Sequence, residues 1–366
     1  MKHTEWSKTE DGNEWDDFVV QNGGSIFHSW SWRRVLENND FIPLYLVCRD
    51  AGGRTLAVCP FFCRTGRQGR HIREMYLESL PESRRAGIIR SMAGPIVDGQ
   101  RANASEILAS LPKSAKSSSF NPVVQMRINV HQQQIIQTMI ALGFQYKIKF
   151  EFFILDFHEK IPEHIWSNGF QKHDRQAVKY YEQLGSEFGF ARHESEYHDY
   201  LALSGGTTDP NDSADFLSKM RLNLGDRLKI ARVTLESKVV AGISILCDPV
   251  GPTAHLMIIR YSPVRNIHSP VTYINWKIIN WAYEQGFRYV DFGAYHRSSD
   301  PARPSYKLRS RFEVSPVPRY EFALPLSSMY HSVARGTHRV LQGMISVLRG
   351  AEASNDSNKQ DAQVHA

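Results

Sequence analysis

Two stretches of this chain read as the same hairpin, and a chain that repeats a hairpin has two equivalent sheet edges to cover. "PLYLVCRDAGGRTLAVCPFF" (43–62) reads as strand, tight turn, strand, with Gly52-Gly53 at the turn. "RLKIARVTLESKVVAGISILC" (227–247) reads the same way, with its turn near Glu236-Ser237-Lys238. Each follows an amphipathic helical stretch, around Trp30 to Asn38 and around Ser213 to Asn223. A second echo links "TMIALGFQY" (138–146) with "NWAYEQGFRY" (280–289). Both read as helix ends stopped by a glycine, Gly143 or Gly286, and followed at once by an aromatic strand. The extra residues of the first half fall in the basic segment from Arg64 to Phe120.

Each half therefore reads helix, antiparallel strands, helix, strand, which is a mixed α/β unit with a mostly antiparallel sheet. The predicted organisation is a flexible N-terminus (1–14), a first domain (15–156), a second domain (157–325), an amphipathic helix (326–350) and a disordered tail (351–366). The boundary falls near Asp156 to Glu163. Along 327–350, Met329, Val333, Val340, Leu341, Met344 and Leu348 keep helical spacing, with Arg335, Arg339 and Arg349 as its charges. Packing of this helix on the core is favoured over a peripheral membrane contact.

At 366 residues the chain is long enough for two domains, and a formal charge of +6 fits anionic partners and an ordinary soluble surface equally, short of the extremes of a DNA-packaging protein. DNA is not expected as a partner. Cys48, Cys59 and Cys247 sit among apolar strand residues, and Cys59 to Cys63 has no second pair at zinc spacing, so no metal is expected. A charged N-terminus without an apolar core, and no apolar run near ~20 residues, predict a cytoplasmic location, with the inner membrane face as a variant of it.

The motif "YVDFGAYHRSSDPARPSYKLRSRF" (289–312) puts an Asp at the end of an apolar strand, a costly position unless something pairs with it. Asp291-Phe292-Gly293 is no kinase signature, because the chain lacks the glycine-rich loop, the V-A-I-K strand and H-R-D. There is no Gly-x-Ser-x-Gly elbow either. The loop after the strand gathers Tyr295, His296, Arg297, Arg303, Tyr306, Lys307 and Arg309, and aromatics interleaved with cations suit a nucleotide. A second basic stretch, "FQKHDRQAVKYYEQLG" (170–185), sets Lys172, Arg175 and Lys179 at i, i+3 and i+7, opposite Ala177, Val178 and Tyr181. Spacing alone fits a diphosphate cradle and a solvated face equally well.

On these residues the chain resembles the FemA/FemB-type acyltransferases, a tandem-repeat branch of the GNAT superfamily. "FHSWSWRRVLE" (27–37) is similar to that family's first helix, and "RQAVKYYEQLG" (175–185) to its R-x-x-I-K-x-A-x-x-x-G helix. "INWKIINWAYEQGFRYVDFG" (274–293) is similar to its helix leading into an Asp-Phe-Gly strand, and Tyr306-Lys307 stands where the family has Phe-Lys. The resemblance covers about Trp15 to Phe322. It implies two tandem GNAT-like domains with mixed, mostly antiparallel sheets.

It also implies N-acyl transfer from an activated donor to a primary amine of a cell-envelope precursor, such as that of peptidoglycan. The donor would be a co-substrate, aminoacyl-tRNA or acyl-CoA, with no tightly bound cofactor, and the acceptor nucleotide- or lipid-linked. Lys307, Tyr306 and Asp291 would be catalytic. Trp32, Arg33, Arg175, Lys179, Gly293, Tyr295 and Arg309 would bind substrate. The alternatives are an acyl-CoA-dependent N-acetyltransferase acting on an amino sugar or other small amine, and a non-catalytic basic protein binding nucleic acid or a membrane surface. Three positions depart from the pattern. Tyr306 replaces Phe, Glu313 stands where Gly is usual, and "VRNIHSPVT" (264–272) lacks the glycines that cradle a CoA pyrophosphate.

Overall fold

The alternation of the two hairpins is realised as drawn. The computed structural model describes residues 5–37, 41–64, 89–91, 93–116, 123–126, 130–203, 205–206, 214–249, 252–262, 268–296, 312 and 314–323. In the first half, strand β1 (Glu5–Lys8) precedes helices α1 (Gly12–Gln21) and α2 (Trp30–Leu36) and the hairpin β2 (Phe41–Arg49) and β3 (Thr55–Arg64). Short strands β4 (Ile89–Ser91) and β5 (Ile96–Val97) follow. Helix α3 (Ala104–Lys116), β6 (Val123–Met126), α4 (Val130–Ala141) and the long β7 (Gln145–Asp156) complete it.

The second half begins with a π-helical turn, Ile165–Gly169, and helix α5 (Lys172–Gln183). Next come β8 (Glu187–Phe190), α6 (Glu194–Leu201), β9 (Gly205–Gly206) and α7 (Ala214–Leu224). Strands β10 (Leu228–Leu235), β11 (Lys238–Cys247) and β12 (Thr253–Tyr261) lead to α8 (Pro270–Glu284), β13 (Tyr289–His296) and β14 (Ser315–Ala323).

The turn chemistry matches the sequence. Gly53 has φ +79, and Glu236 and Ser237 both take left-handed φ at the second hairpin. Pro270 is the first residue of α8, where its missing N–H costs nothing, and Ser269 caps Val271.

All the described strands belong to one sheet, ordered β1-β2-β3-β4-β6-β14-β7-β13-β12-β11-β10-β8, with β5 on β3 and β9 on β12. The order is symmetric about its middle. From either edge one meets a short strand, the hairpin, then a parallel pair: β4 with β6, and β12 with β13. The last strand of each half is exchanged. β7, from the first half, pairs with β13, and β14, from the second, pairs with β6. The two exchanged strands pair antiparallel with each other, from Ser315↔Ile154 to Ala323↔Gln145.

The symmetry corrects one reading of the sequence. α8 lies between the strands of the second parallel pair, so its equivalent is α3, not α4. The Gly143 and Gly286 segments are alike because both glycines stop a helix at φ +77, not because they hold equivalent places.

Successive residues of β7 and β13 face opposite ways. Phe153, Leu155, Val290 and Phe292 enter a core with Tyr273, Ile274 and Ile278 of α8 and Val178 and Tyr181 of α5. A second core mixes both halves: Trp15, Phe27, Trp32 and Tyr45 pack with Tyr200, Met220, Leu246 and Ile258. Accordingly, residues 1–323 form one compact unit. The division at 156/157 remains a proposal. Residues 324–366, with the expected helix and tail, lie outside the described residues. No described helix is long and apolar enough to cross a membrane.

Candidate active site

Asp291-Phe292-Gly293 forms a β-bulge. In the pairing of β13 with β7, Asp291 faces Ile154 and Ala294 faces Phe152, so the register shifts between them. Gly293 takes φ +88, and its N–H donates to Asp291 Oδ1 at 2.8 Å. Among the described residues a Cβ at Gly293 would meet nothing nearer than the Leu256 carbonyl oxygen at 3.8 Å, so the glycine serves the backbone angle rather than space.

The other carboxylate oxygen of Asp291 is 2.9 Å from Nδ1 of His255, and Nε2 of His255 is 3.1 Å from Oδ1 of Asp248. Asp248 Oδ1 also accepts the N–H of Ile26, from the first half, at 2.7 Å. This is how the chain accommodates an aspartate buried in a strand: an imidazole held between two carboxylates. Burial by itself lowers the pKa of the ring, but Asp248 first and then Asp291 outweigh it and push His255 up to about 9. The edge of Phe27 meets the ring at 4.9 Å. Nearby His28 shows the opposite balance, since burial pushes it down to about 4.

A cavity of about 270 Å³ opens on this face of the sheet. Its walls come from β12, β13, β7 and β14 through Thr253, His255, Tyr289, Asp291, Phe152, Ile154, Ser315 and Val317, with Ser25 and Gln133 from the first half. Asp156, held by Arg288 at 3.3 Å, and Glu159 add negative charge. The parallel pair β12 and β13 is bonded only from Thr253↔Tyr289 to His255↔Asp291. Beyond that point β12 pairs with β9 and β13 with β7, leaving the strands unjoined at their C-terminal ends.

Of the residues expected at the site, Asp291 and Gly293 are together in the bulge. Tyr295 lies opposite Glu151 in β13, and its side chain is outside the described residues, as are Tyr306, Lys307 and Arg309. Trp32 is 1% exposed, with Phe27 and Phe216 edge-on to its ring, a core position rather than a contact surface. Arg33 stacks over Trp30 at 4.2 Å and pairs with Glu10 at 2.7 Å.

Arg175 does not complete a free cationic stripe. Its guanidinium donates to the carbonyls of Trp166, at 3.1 Å, and Phe170, closing the π-helical turn before α5. Lys172 and Lys179 are exposed, while Ala177, Val178 and Tyr181 are buried as expected. The sequence reading missed His255 and Asp248. Their only signal was a histidine set between apolar residues in "TAHLMIIRY" and an aspartate directly after a strand.

Residues 168–307 match the acetyltransferase (GNAT) domain family. No curated protein matches the chain by sequence. Among solved structures it is similar to FemX, with a TM-score of 0.64 and 12% identity over 90% of this chain and 99% of that one. It is also similar to L-PGS from Bacillus licheniformis (0.55, 13%, 92% and 98%). A third is a tandem GNAT protein from the clavulanic acid biosynthesis pathway (0.52, 12%, 88% and 98%). The mixed sheet with its repeated hairpin and parallel pair is the GNAT fold in tandem form, and the protein is an acyltransferase.

Proposed function

We propose that the protein is an N-acyltransferase of FemA/FemB type that passes an activated acyl or aminoacyl group to a primary amine of a cell-envelope precursor. The observation that carries the reading is the extent of the acetyltransferase match, which runs from residue 168 to 307. It takes in α5, the unjoined parallel strands, the Asp-Phe-Gly bulge and Tyr306-Lys307. The tandem architecture shared with FemX supports the same reading.

In the reaction the neutral amine attacks the acyl carbonyl carbon, and the C–N bond forms as the C–O or C–S bond to the carrier breaks. The proton lost from nitrogen ends on the leaving oxygen or sulfur. Lys307 supplies positive charge to donor phosphate or to the developing oxyanion, and Tyr306 contacts the reacting centre. Asp291 has a carboxylate oxygen committed to His255 and the other to Gly293, which suits it to shape the strand end.

Acyl-CoA is the favoured alternative donor on one observation. Past His255 and Asp291 the facing edges of β12 and β13 make no ladder bonds with each other, and such edges receive an extended thioester arm as they would a strand. Calorimetric titration with acetyl-CoA and with aminoacyl-tRNA separates the donors. Saturable binding of acetyl-CoA with none of the tRNA overturns the aminoacyl reading. Lys307→Ala should lower amide formation at least ~100-fold, as loss of a group stabilising transition-state charge does. Unchanged turnover would remove Lys307 from the mechanism.

A further inference from the structure

The buried Asp248–His255–Asp291 group joins parts of the molecule that are far apart in sequence. Asp248 directly follows β11 and holds Ile26, three residues before Ser29, the cap of the Trp30 helix. Asp291 sits in β13 and holds Gly293, where the register against β7 shifts. His255 connects the two carboxylates through both ring nitrogens. A neutral imidazole has one N–H and one lone pair, so it satisfies only one carboxylate and turns a lone pair on the other. Only the imidazolium donates to both.

We propose that His255 is a positioning residue for acyl transfer, a charged latch that ties the first half at Ile26 to the Gly293 bulge and lets go of both when its proton leaves. The groups that face it are Asp248, directly after β11, and Asp291 from β13. Asp156 and Glu159 line the same cavity, and His28, which burial pushes down to about 4, is close enough to feel the charge of Asp248. Phe27 packs against the ring in a T-shaped contact, with centroids 4.9 Å apart. The buried trio carries one positive and two negative charges, so deprotonation leaves two carboxylates uncompensated beside two more acids. The ring's pKa near 9 puts the release above neutrality.

The two amides held by the carboxylates report the latch directly, and no substrate is needed to read them. In the full-length protein, amide hydrogen exchange at Ile26 and Gly293, expressed as protection factors, should fall together by tenfold or more as pH rises through about 9. Val47 and Val58 in the first hairpin should stay protected. In His255→Gln both amides should be weakly protected already at pH 7, and the pH step should vanish. Asp248→Asn keeps the oxygen that accepts the Ile26 N–H but removes the charge that most favours the protonated ring, so the step should move to lower pH. A wild-type protein whose two amides keep full protection to pH 10, or lose it at unrelated pH values, overturns the latch. So does a His255→Gln protein that keeps the step.

Discussion

Replacing Gly293 with Ala separates backbone angle from space at the bulge. Among the described residues nothing blocks a methyl group, since the nearest such atom is 3.8 Å from the Cβ position. The cost therefore comes from φ +88, about 1–3 kcal/mol for a side-chain-bearing residue held in such a conformation. The alanine also stiffens the unfolded chain, which returns roughly 0.4–1 kcal/mol. The net loss should be about 1–2 kcal/mol, or about 2–4 °C in Tm for a unit of this size.

The assay is urea denaturation followed by tryptophan fluorescence, with Gly53→Ala as the comparison. Gly53 has φ +79 and no atom within 4 Å of its Cβ position, so it carries a similar angular cost at an exposed turn. Both variants should lose similar stability, but only Gly293→Ala should also weaken protection of the Gly293-equivalent amide and slow acyl transfer. A Gly293→Ala protein within about 0.5 kcal/mol of wild type, the range of an ordinary surface change, refutes the assignment of this glycine to backbone angle.

Gly242→Ala should behave in the opposite sense, as a packing defect. A Cβ there lies 2.4 Å from Cδ2 of Tyr200, whose hydroxyl is fixed to the Ile258 carbonyl, so a loss of about 1–3 kcal/mol is expected. Combining it with Tyr200→Ala should recover part of that loss in thermal melts, and strict additivity would count against the clash. Arg175→Ala should cost about 1–2 kcal/mol by removing the donors to Trp166 and Phe170, whereas Lys179→Ala, at an exposed position, should stay within ~0.5 kcal/mol. Equal losses by chemical denaturation would show that the two cations play the same part.

Much of the fold was legible because hairpins and helix stops are written locally. The alternation of 43–62 and 227–247 and the glycine turn at Gly53 depend on near neighbours. The equivalence of elements was not legible in the same way. Gly143 and Gly286 have the same local surroundings, yet only the ladder of strand pairs shows that α8 answers to α3. The strand exchange has no local signature at all, since β7 and β14 carry the same alternation whichever half they join.

The site divides similarly. Asp291 was found because a charge in an apolar strand needs a partner, but the partner lay 36 residues away, in His255. Asp248 was hidden by its ordinary position after a strand. Arg175 looked like part of a ligand-binding stripe because spacing records which face a side chain leaves from, not which carbonyl it bends back to reach.

The exchanged strands also set an order of events on the ribosome. β6 leaves synthesis early, but the strand that covers its edge toward the middle of the sheet, β14, is the last described segment to be made: Met126 waits for Tyr320. Until then the nascent first half presents an open edge, the kind of edge on which other chains dock and aggregate. The second half has its neighbour β7 waiting before its own β13 is made. Folding of the two halves is thus unequal in time although their sheet is symmetric in space, and a stop codon late in the gene would undo the beginning of the molecule as well as its end.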